Sequence, residues 1–192
     1  MSTISNIKLN RINTVIFPNV ISRYPDIQEA VINYSDDYYT AINKLLRKIP
    51  FSIRFNENEI LELKKYIRSM DKAIEIYNTL IKQYDVDRDI VVVRKITLWD
   101  HLLLEQQIKK IKSGIYIDPG FMSTSTTDSY HPVSGTTIRF EIELTSLNYG
   151  AFIGNVSKYK TENEFLIKRG TPFKVKEHTE INGIHHVKLK SL

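Results

Sequence analysis

Thr161-Glu162-Asn163-Glu164-Phe165-Leu166-Ile167-Lys168-Arg169-Gly170-Thr171 sets two carboxylates two residues apart at the head of an apolar run, closed by a Lys-Arg-Gly turn. Residues 164–167 read as a buried strand. In an extended chain, side chains two apart leave the same face, about 7 Å from one another. Carboxylate pairs at roughly this separation recur where a cationic sugar centre is handled. One group faces the positive charge and the other activates the incoming nucleophile. An ordinary surface strand also carries Glu-x-Glu, so a motif this short needs support from the rest of the chain.

The chain has 192 residues, of which 42% are hydrophobic and 26% charged. That is enough for one domain with a substantial core. We expect a single domain over residues 1–192, with a helical part to about residue 85 and a strand-rich part from 86 onward. No apolar run approaches the length of a membrane span. The start, Met1-Ser2-Thr3-Ile4-Ser5-Asn6, lacks the basic-then-apolar form of a secretory signal, so the expectation is that the chain is not exported by that route or that the sequence is already trimmed. Cysteine is absent, which excludes disulfides and thiolate zinc sites.

The net charge is +5. Its lysines and arginines are scattered. Lys64, Lys65, Arg68 and Lys72 fall on one helical stretch and Lys109, Lys110 and Lys112 on another, as solvated helix faces do, so a nucleic-acid partner is not expected. None of the five histidines shows metal-ligand spacing, and His185-His186 would point to opposite faces of a strand. We therefore expect no metal. There is no Gly-x-Gly-x-x-Gly and no phosphate-binding Gly-x-x-x-x-Gly-Lys loop, so a nucleotide would have to bind in a non-Rossmann manner.

Residues 26–48 predict two short helices, with Ser35-Asp36-Asp37 capping the second. Asn56 or Asn58 opens another, with Ile60, Leu63, Ile67 and Met70 inward, and residues 71–84 continue helical on Ile74, Tyr77, Leu80 and Ile81. Residues 90–96 form a continuous apolar run, expected as a buried strand, with Arg94 ending its four-residue apolar stretch. A helix over about 100–112 has Leu103, Leu104 and Ile108 on its apolar side. Residues 137–144 alternate cleanly, 173–175 and 185–189 add strands, and Asn182-Gly183 is a hairpin turn. Helices followed by strands predict an α+β fold.

Three segments in order decide the resemblance. They are Arg94 after Ile90-Val91-Val92-Val93, the stretch Gly120-Phe121-Met122-Ser123-Thr124-Ser125, and Glu162-Asn163-Glu164. Over residues 26–175 this resembles the Arg–Ser–Glu class of mono-ADP-ribosyltransferases, and it is similar to the catalytic domains of actin-modifying bacterial binary toxins such as iota-toxin. The resemblance implies N-terminal helices packed on a two-sheet, mixed or antiparallel β core. It also implies NAD+ as cosubstrate, a toxin that is secreted or delivered and acts in the cytosol of a target cell, and a partner protein bearing an acceptor arginine, with actin as one candidate.

Site roles follow from the resemblance. Glu164 stabilises positive charge on the ribose as nicotinamide leaves and holds the 2′-hydroxyl. Ser123 holds the Glu164 carboxylate. Arg94 binds the NAD+ phosphates, assisted by Lys95, which stands where the family often has Gly or Arg. Tyr34, Tyr39, Asn43 and Arg47 contact NAD+ from a helix, and Phe121 walls the nicotinamide pocket. Glu162 goes with an arginine acceptor, whereas Gln there goes with asparagine. Tyr159 lies in the target-recognition loop, or else is a partly buried loop tyrosine. Tyr130 and His131 fall in a loop, residues 126–136, over the nicotinamide phosphate. The family's binary toxins carry an additional N-terminal docking domain that this chain does not accommodate, which leaves a single-domain exotoxin, a module fed by another system, or a phage or viral enzyme. An NAD+ glycohydrolase and a non-catalytic module of the same fold are the alternatives.

Overall fold

The computed structural model describes residues 3–49, 55–127 and 137–192. The chain opens with α1 (Thr3–Arg11), a π-helical turn (Ile12–Ile16) and α2 (Phe17–Ile21). Next come α3 (Pro25–Asn33), a second π-helical turn (Tyr34–Tyr38) and α4 (Tyr39–Arg47). Pro25 starts α3 at a position where its missing N–H costs nothing. Ser35 and Asp36 do not cap α4, which begins without a side-chain cap; they lie in the π turn instead.

α5 (Glu57–Gln83) is one unbroken helix of 27 residues. Asn56 opens it with a capping box: its side chain accepts from the Glu59 amide at 3.0 Å, and the Glu59 carboxylate accepts from the Asn56 amide at 2.7 Å. Leu63, Ile67, Met70, Ile74, Tyr77 and Ile81 recur at helical spacing and are all buried. With no Gly or Pro among them, the two helical stretches read from the sequence run together.

The strands are β1 (Ile90–Ile96), β2 (Ile115–Ile117), β3 (Met122–Ser125), β4 (Ile138–Leu144), β5 (Gly150–Phe152), β6 (Glu164–Ile167), β7 (Pro172–Ile181) and β8 (Ile184–Ser191), with α6 (His101–Lys112) between β1 and β2. They form a mixed sheet in the order β2-β7-β8-β4-β1-β3-β6-β5, in which β4 and β8 are parallel and the other pairs antiparallel. The mixed α+β architecture is the one the sequence predicts. The two expected sheets are joined into one, through a narrow seam where Val93 of β1 faces Ser125 of β3.

Three expectations change in detail. β1 is not buried throughout: Val92 is fully buried but Val91 is 55% exposed, because antiparallel neighbours leave it one open face. Arg94 sits within β1, not at its end. In α6 the fully buried residue is Ile111. Leu104 and Ile108 are partly buried and Leu103 is exposed. The Asn182-Gly183 pair forms the expected tight turn, both residues having positive φ (52° and 76°).

All four residues of β6 are buried. Aromatic contacts tie the helices to it: Phe17 meets Tyr77 edge-on at 5.2 Å, Tyr77 leans on Phe152 at 6.4 Å, and Phe152 meets Phe165 edge-on at 5.2 Å. β5 reaches β6 so closely that a Cβ on Gly150 would stand 2.2 Å from the Leu166 carbonyl oxygen. Gly150→Ala should therefore force β5 off β6 and cost about 2–3 kcal/mol, as overpacking does. Urea unfolding that shows a loss below about 0.5 kcal/mol would mean that this contact is not close.

Candidate active site

The two glutamates reach the site by different routes. Glu164 is the first residue of β6 and only 5% exposed. Glu162 ends a short 3₁₀ turn (Lys160–Glu162), and Asn163 between them is left-handed, with φ 48°. Asn is among the residues that tolerate this conformation. The pair is thus not on one extended strand, as the spacing suggested. A turn places the exposed Glu162 and the buried Glu164 on the same cleft.

β3 supplies their partners by its two-residue period. The Ser123 hydroxyl donates to Glu164 Oε1 at 2.5 Å, a diagonal contact across the β3–β6 pair. Ser125 donates to the Glu162 backbone carbonyl at 3.0 Å. Thr124 points the other way and donates to the Phe165 carbonyl at 2.5 Å within the core. Arg94 reaches across from β1, its Nη1 donating to the Ser123 carbonyl at 3.2 Å. Burial pushes the Glu164 carboxyl up to about 7; the Ser123 hydrogen bond acts against this, the nearby Glu162 charge adds to it, and Arg94 subtracts from it.

The helical wall is built from Tyr34, Tyr39 and Asn43. Asn43 is buried and bridges helix to strand: its Nδ2 donates to the Tyr34 hydroxyl at 3.0 Å, and its Oδ1 accepts from the Phe121 amide at 2.9 Å. The approach requires Gly120, since a Cβ there would meet Asn43 Oδ1 at 2.5 Å. Burial pushes the Tyr34 phenol well above its ordinary value, so it stays a neutral hydroxyl.

A cleft of about 580 Å³ lies between this wall and the strands, within the range of ligand sites. Of the residues singled out from the sequence, Tyr34, Tyr39, Asn43, Arg94, Lys95, Ser123, Tyr159, Glu162 and Glu164 all border it. Arg47 and Phe121 do not. Phe121 is fully buried and packs edge-on against Tyr34 at 5.8 Å. Arg47 is locked to Asp118 by two parallel hydrogen bonds of 2.8 Å. Burial disfavours the charge of Arg47, but the bonds to Asp118 outweigh this and its pKa rises. Tyr130 and His131 lie outside the described residues.

Sequence reasoning missed Asp118, Ser35 and Asp36. Asp118-Pro119-Gly120 does carry a turn signal, and Asp118 Oδ1 accepts from the Gly120 amide at 2.9 Å. Nothing local points to Arg47, 71 residues away. Among the described residues no group of three metal-ligating side chains exists, and no helix is long and apolar enough to cross a membrane.

Residues 23–191 match the family described as ADP-ribosyltransferase exoenzyme. The chain belongs to this family. Solved ADP-ribosyltransferases share the fold. HopU1 of Pseudomonas syringae pv. tomato DC3000 is 17% identical with a TM-score of 0.66, covering 98% of this chain and 87% of its own. An ADP-ribosyltransferase of Clostridium botulinum is 17% identical with a TM-score of 0.65, covering 97% and 92%. Exoenzyme S of Pseudomonas aeruginosa, solved with carba-NAD bound, is 15% identical with a TM-score of 0.61, covering 93% and 80%. No curated protein matches the chain. ADP-ribosyltransferase toxins of this family use NAD+ as cosubstrate and act on a protein target.

Two outcomes follow for this ADP-ribosyltransferase. Glu164 has a folded-state pKa of about 7 against an ordinary 4.5, so between these values the native state holds a proton that the unfolded chain has released. Stability therefore falls as pH rises through that window and stays lower above it. Glu164→Gln removes the dependence, and its stability relative to the native protein should rise by up to about 3 kcal/mol between pH 4.5 and pH 8. Urea denaturation at the two pH values measures this, and a constant difference would mean that the carboxyl is not desolvated. Arg47→Ala leaves Asp118 buried without its cation and should cost about 3 kcal/mol, while NAD+ affinity changes by less than about threefold. A larger affinity loss in calorimetry would return Arg47 to the nucleotide site.

Proposed function

We propose that this ADP-ribosyltransferase uses an arginine side chain of its target protein as acceptor. The supporting observation is Glu162, an exposed carboxylate at the cleft, two residues from the buried Glu164, with its backbone carbonyl tied to Ser125. A guanidinium is cationic and strongly hydrated, and therefore a poor nucleophile. A carboxylate beside it can orient it by paired hydrogen bonds and take its proton as the new bond forms.

NAD+ supplies an electrophilic ribose carbon bonded to a cationic leaving group. Glu164 provides the fixed negative charge opposite that carbon, in a site where burial strengthens the interaction. Ser123 holds the carboxylate by its hydrogen bond of 2.5 Å. Arg94 and Lys95 bring positive charge to the strand wall for the diphosphate. Tyr34, Asn43 and Tyr39 form the opposite wall. In the balance of the reaction, the bond from ribose carbon to nicotinamide nitrogen breaks and one to a guanidine nitrogen forms. The guanidine proton passes to Glu162 and then to solvent.

Tyr159 is 44% exposed beside Glu162 and suits contact with the target. Actin as that target, and delivery into the cytosol of another cell, rest on the resemblance to binary-toxin enzymes.

Labelled NAD+ incubated with the protein and a cell lysate, followed by mass spectrometry of the labelled band, tests the acceptor. Modified arginine is expected, and modified asparagine would overturn the reading. Glu162→Gln should lower transfer to a guanidine acceptor at least about 100-fold while hydrolysis of NAD+ keeps more than about a tenth of its rate. A parallel fall of both activities would mean that the two glutamates act as one unit.

A further inference from the structure

A loop aims a side chain only as well as it is itself anchored. Residues 155–162 lead into β6 and carry both Tyr159 and Glu162. The ends of this loop are held by Asn155, which donates to the Asn13 carbonyl at 3.1 Å, and by Ser125 on the Glu162 carbonyl, and its middle is anchored in the helical wall, on the π turn Tyr34–Tyr38. The Lys158 amide donates to the Ser35 hydroxyl at 3.0 Å, and that hydroxyl donates in turn to the Ile32 carbonyl at 2.8 Å. Asp36 makes two contacts with the loop. Its Oδ2 accepts from the Lys158 ammonium at 2.6 Å, and its Oδ1 accepts from the Tyr159 hydroxyl at 3.4 Å. The Tyr159 carbonyl then accepts from the Glu162 amide at 3.2 Å, closing the 3₁₀ turn that presents the Glu162 side chain. A short bonded path thus runs from Asp36 through Tyr159 to Glu162.

The local backbone suits this use. Single π turns within α-helices are found frequently at functional sites. Here it turns Ser35 and Asp36 to the cleft that Glu162 and Glu164 border. Stability is a poor explanation for the contact. The Asp36 side chain is 27% exposed and that of Lys158 50% exposed, and ion pairs so accessible contribute little to folding.

We propose that Asp36 positions the acceptor loop, and through it Tyr159 and Glu162, so that the ribose is passed to the acceptor in preference to water. The proposal rests on Glu162 serving the acceptor step. Asp36 touches neither Glu164 nor Ser123. Its effect should fall on the partition between transfer and hydrolysis, with less effect on cleavage of NAD+ itself.

The test uses the full chain, radiolabelled NAD+ and agmatine as a small guanidine acceptor, with nicotinamide release and agmatine labelling measured together. Asp36→Asn preserves volume and removes the charge; Tyr159→Phe removes only the hydroxyl. Asp36→Asn should lower the ratio of transfer to hydrolysis at least about tenfold through a higher KM for agmatine, with the thermal midpoint within about 3 °C of the native protein. Asp36→Glu should restore part of the ratio. Because one path carries both effects, the double variant should be no worse than the poorer single variant. An unchanged ratio in Asp36→Asn, or losses that multiply in the double variant, would overturn the role of Asp36. The native protein separates this from the acceptor reading. If it labels no guanidine, arginine fails as acceptor, and the ratio is measured with the acceptor that mass spectrometry identifies. Asp36 stands if that ratio falls and fails if it does not. Hydrolysis with no labelled acceptor at all would overturn both.

Discussion

A carboxylate held almost entirely out of water is the constraint on which the rest of this molecule depends. Glu164 is buried at the head of β6, and burial alone would leave it protonated over much of the physiological range. The fold keeps it usable by placing Ser123 on the diagonal of the neighbouring strand and Arg94 one strand further on. These contacts need β1, β3 and β6 in one register. The narrow seam at Val93 and Ser125 therefore matters more than its length suggests, since it is where the two halves of the sheet meet beneath the cleft.

The helical side is fixed to the strands by a second buried network. Asn43 spans from Tyr34 to the Phe121 amide, Gly120 leaves room for that approach, and Arg47, one turn further along α4, clamps the same turn through Asp118. Each polar group in it has its partner, which makes such a network specify one arrangement. The outcome is a wall of fixed position opposite Glu164. The loop carrying Tyr159 and Glu162 is held differently, by Ser125 on the Glu162 carbonyl and by exposed contacts to Ser35 and Asp36. On the function proposed above, the nucleotide would lie against the buried network and the acceptor against the loop. That division suits an enzyme whose small cosubstrate has one shape and whose protein target must dock from solvent.

Local features are legible in the chain. The box Asn56–Glu59 and the apolar spacing of Leu63, Ile67, Met70 and Ile74 announce α5, because a helix repeats every few residues. Asn182-Gly183 announces its turn, since few other pairs tolerate two positive φ angles. Ser123 and Ser125 share a face and Thr124 the reverse, as a strand requires. The strands β2 and β5 escape a reading by pattern, being three residues each, too short for a period to show. The π turn at Tyr34–Tyr38 reads as a helix cap, because Ser-Asp-Asp is equally good chemistry for both.

The order Arg94, Ser123, Glu162 and Glu164, together with the periodicities around them, was in the sequence by itself. So were the α+β class and the family whose pattern these residues match. Tertiary structure alone decided which of these groups meet and on what terms. It turned Arg47 to Asp118, 71 residues away, brought Asp36 to Tyr159 across 123, and bent the Glu-x-Glu pair through a left-handed Asn163 instead of an extended strand. The physical reason is range. Backbone sterics and side-chain period act over a few residues and are written in the local sequence. Ion pairs, buried hydrogen bonds and desolvation depend on which distant segments packing brings within about 3 Å, and no local pattern encodes that.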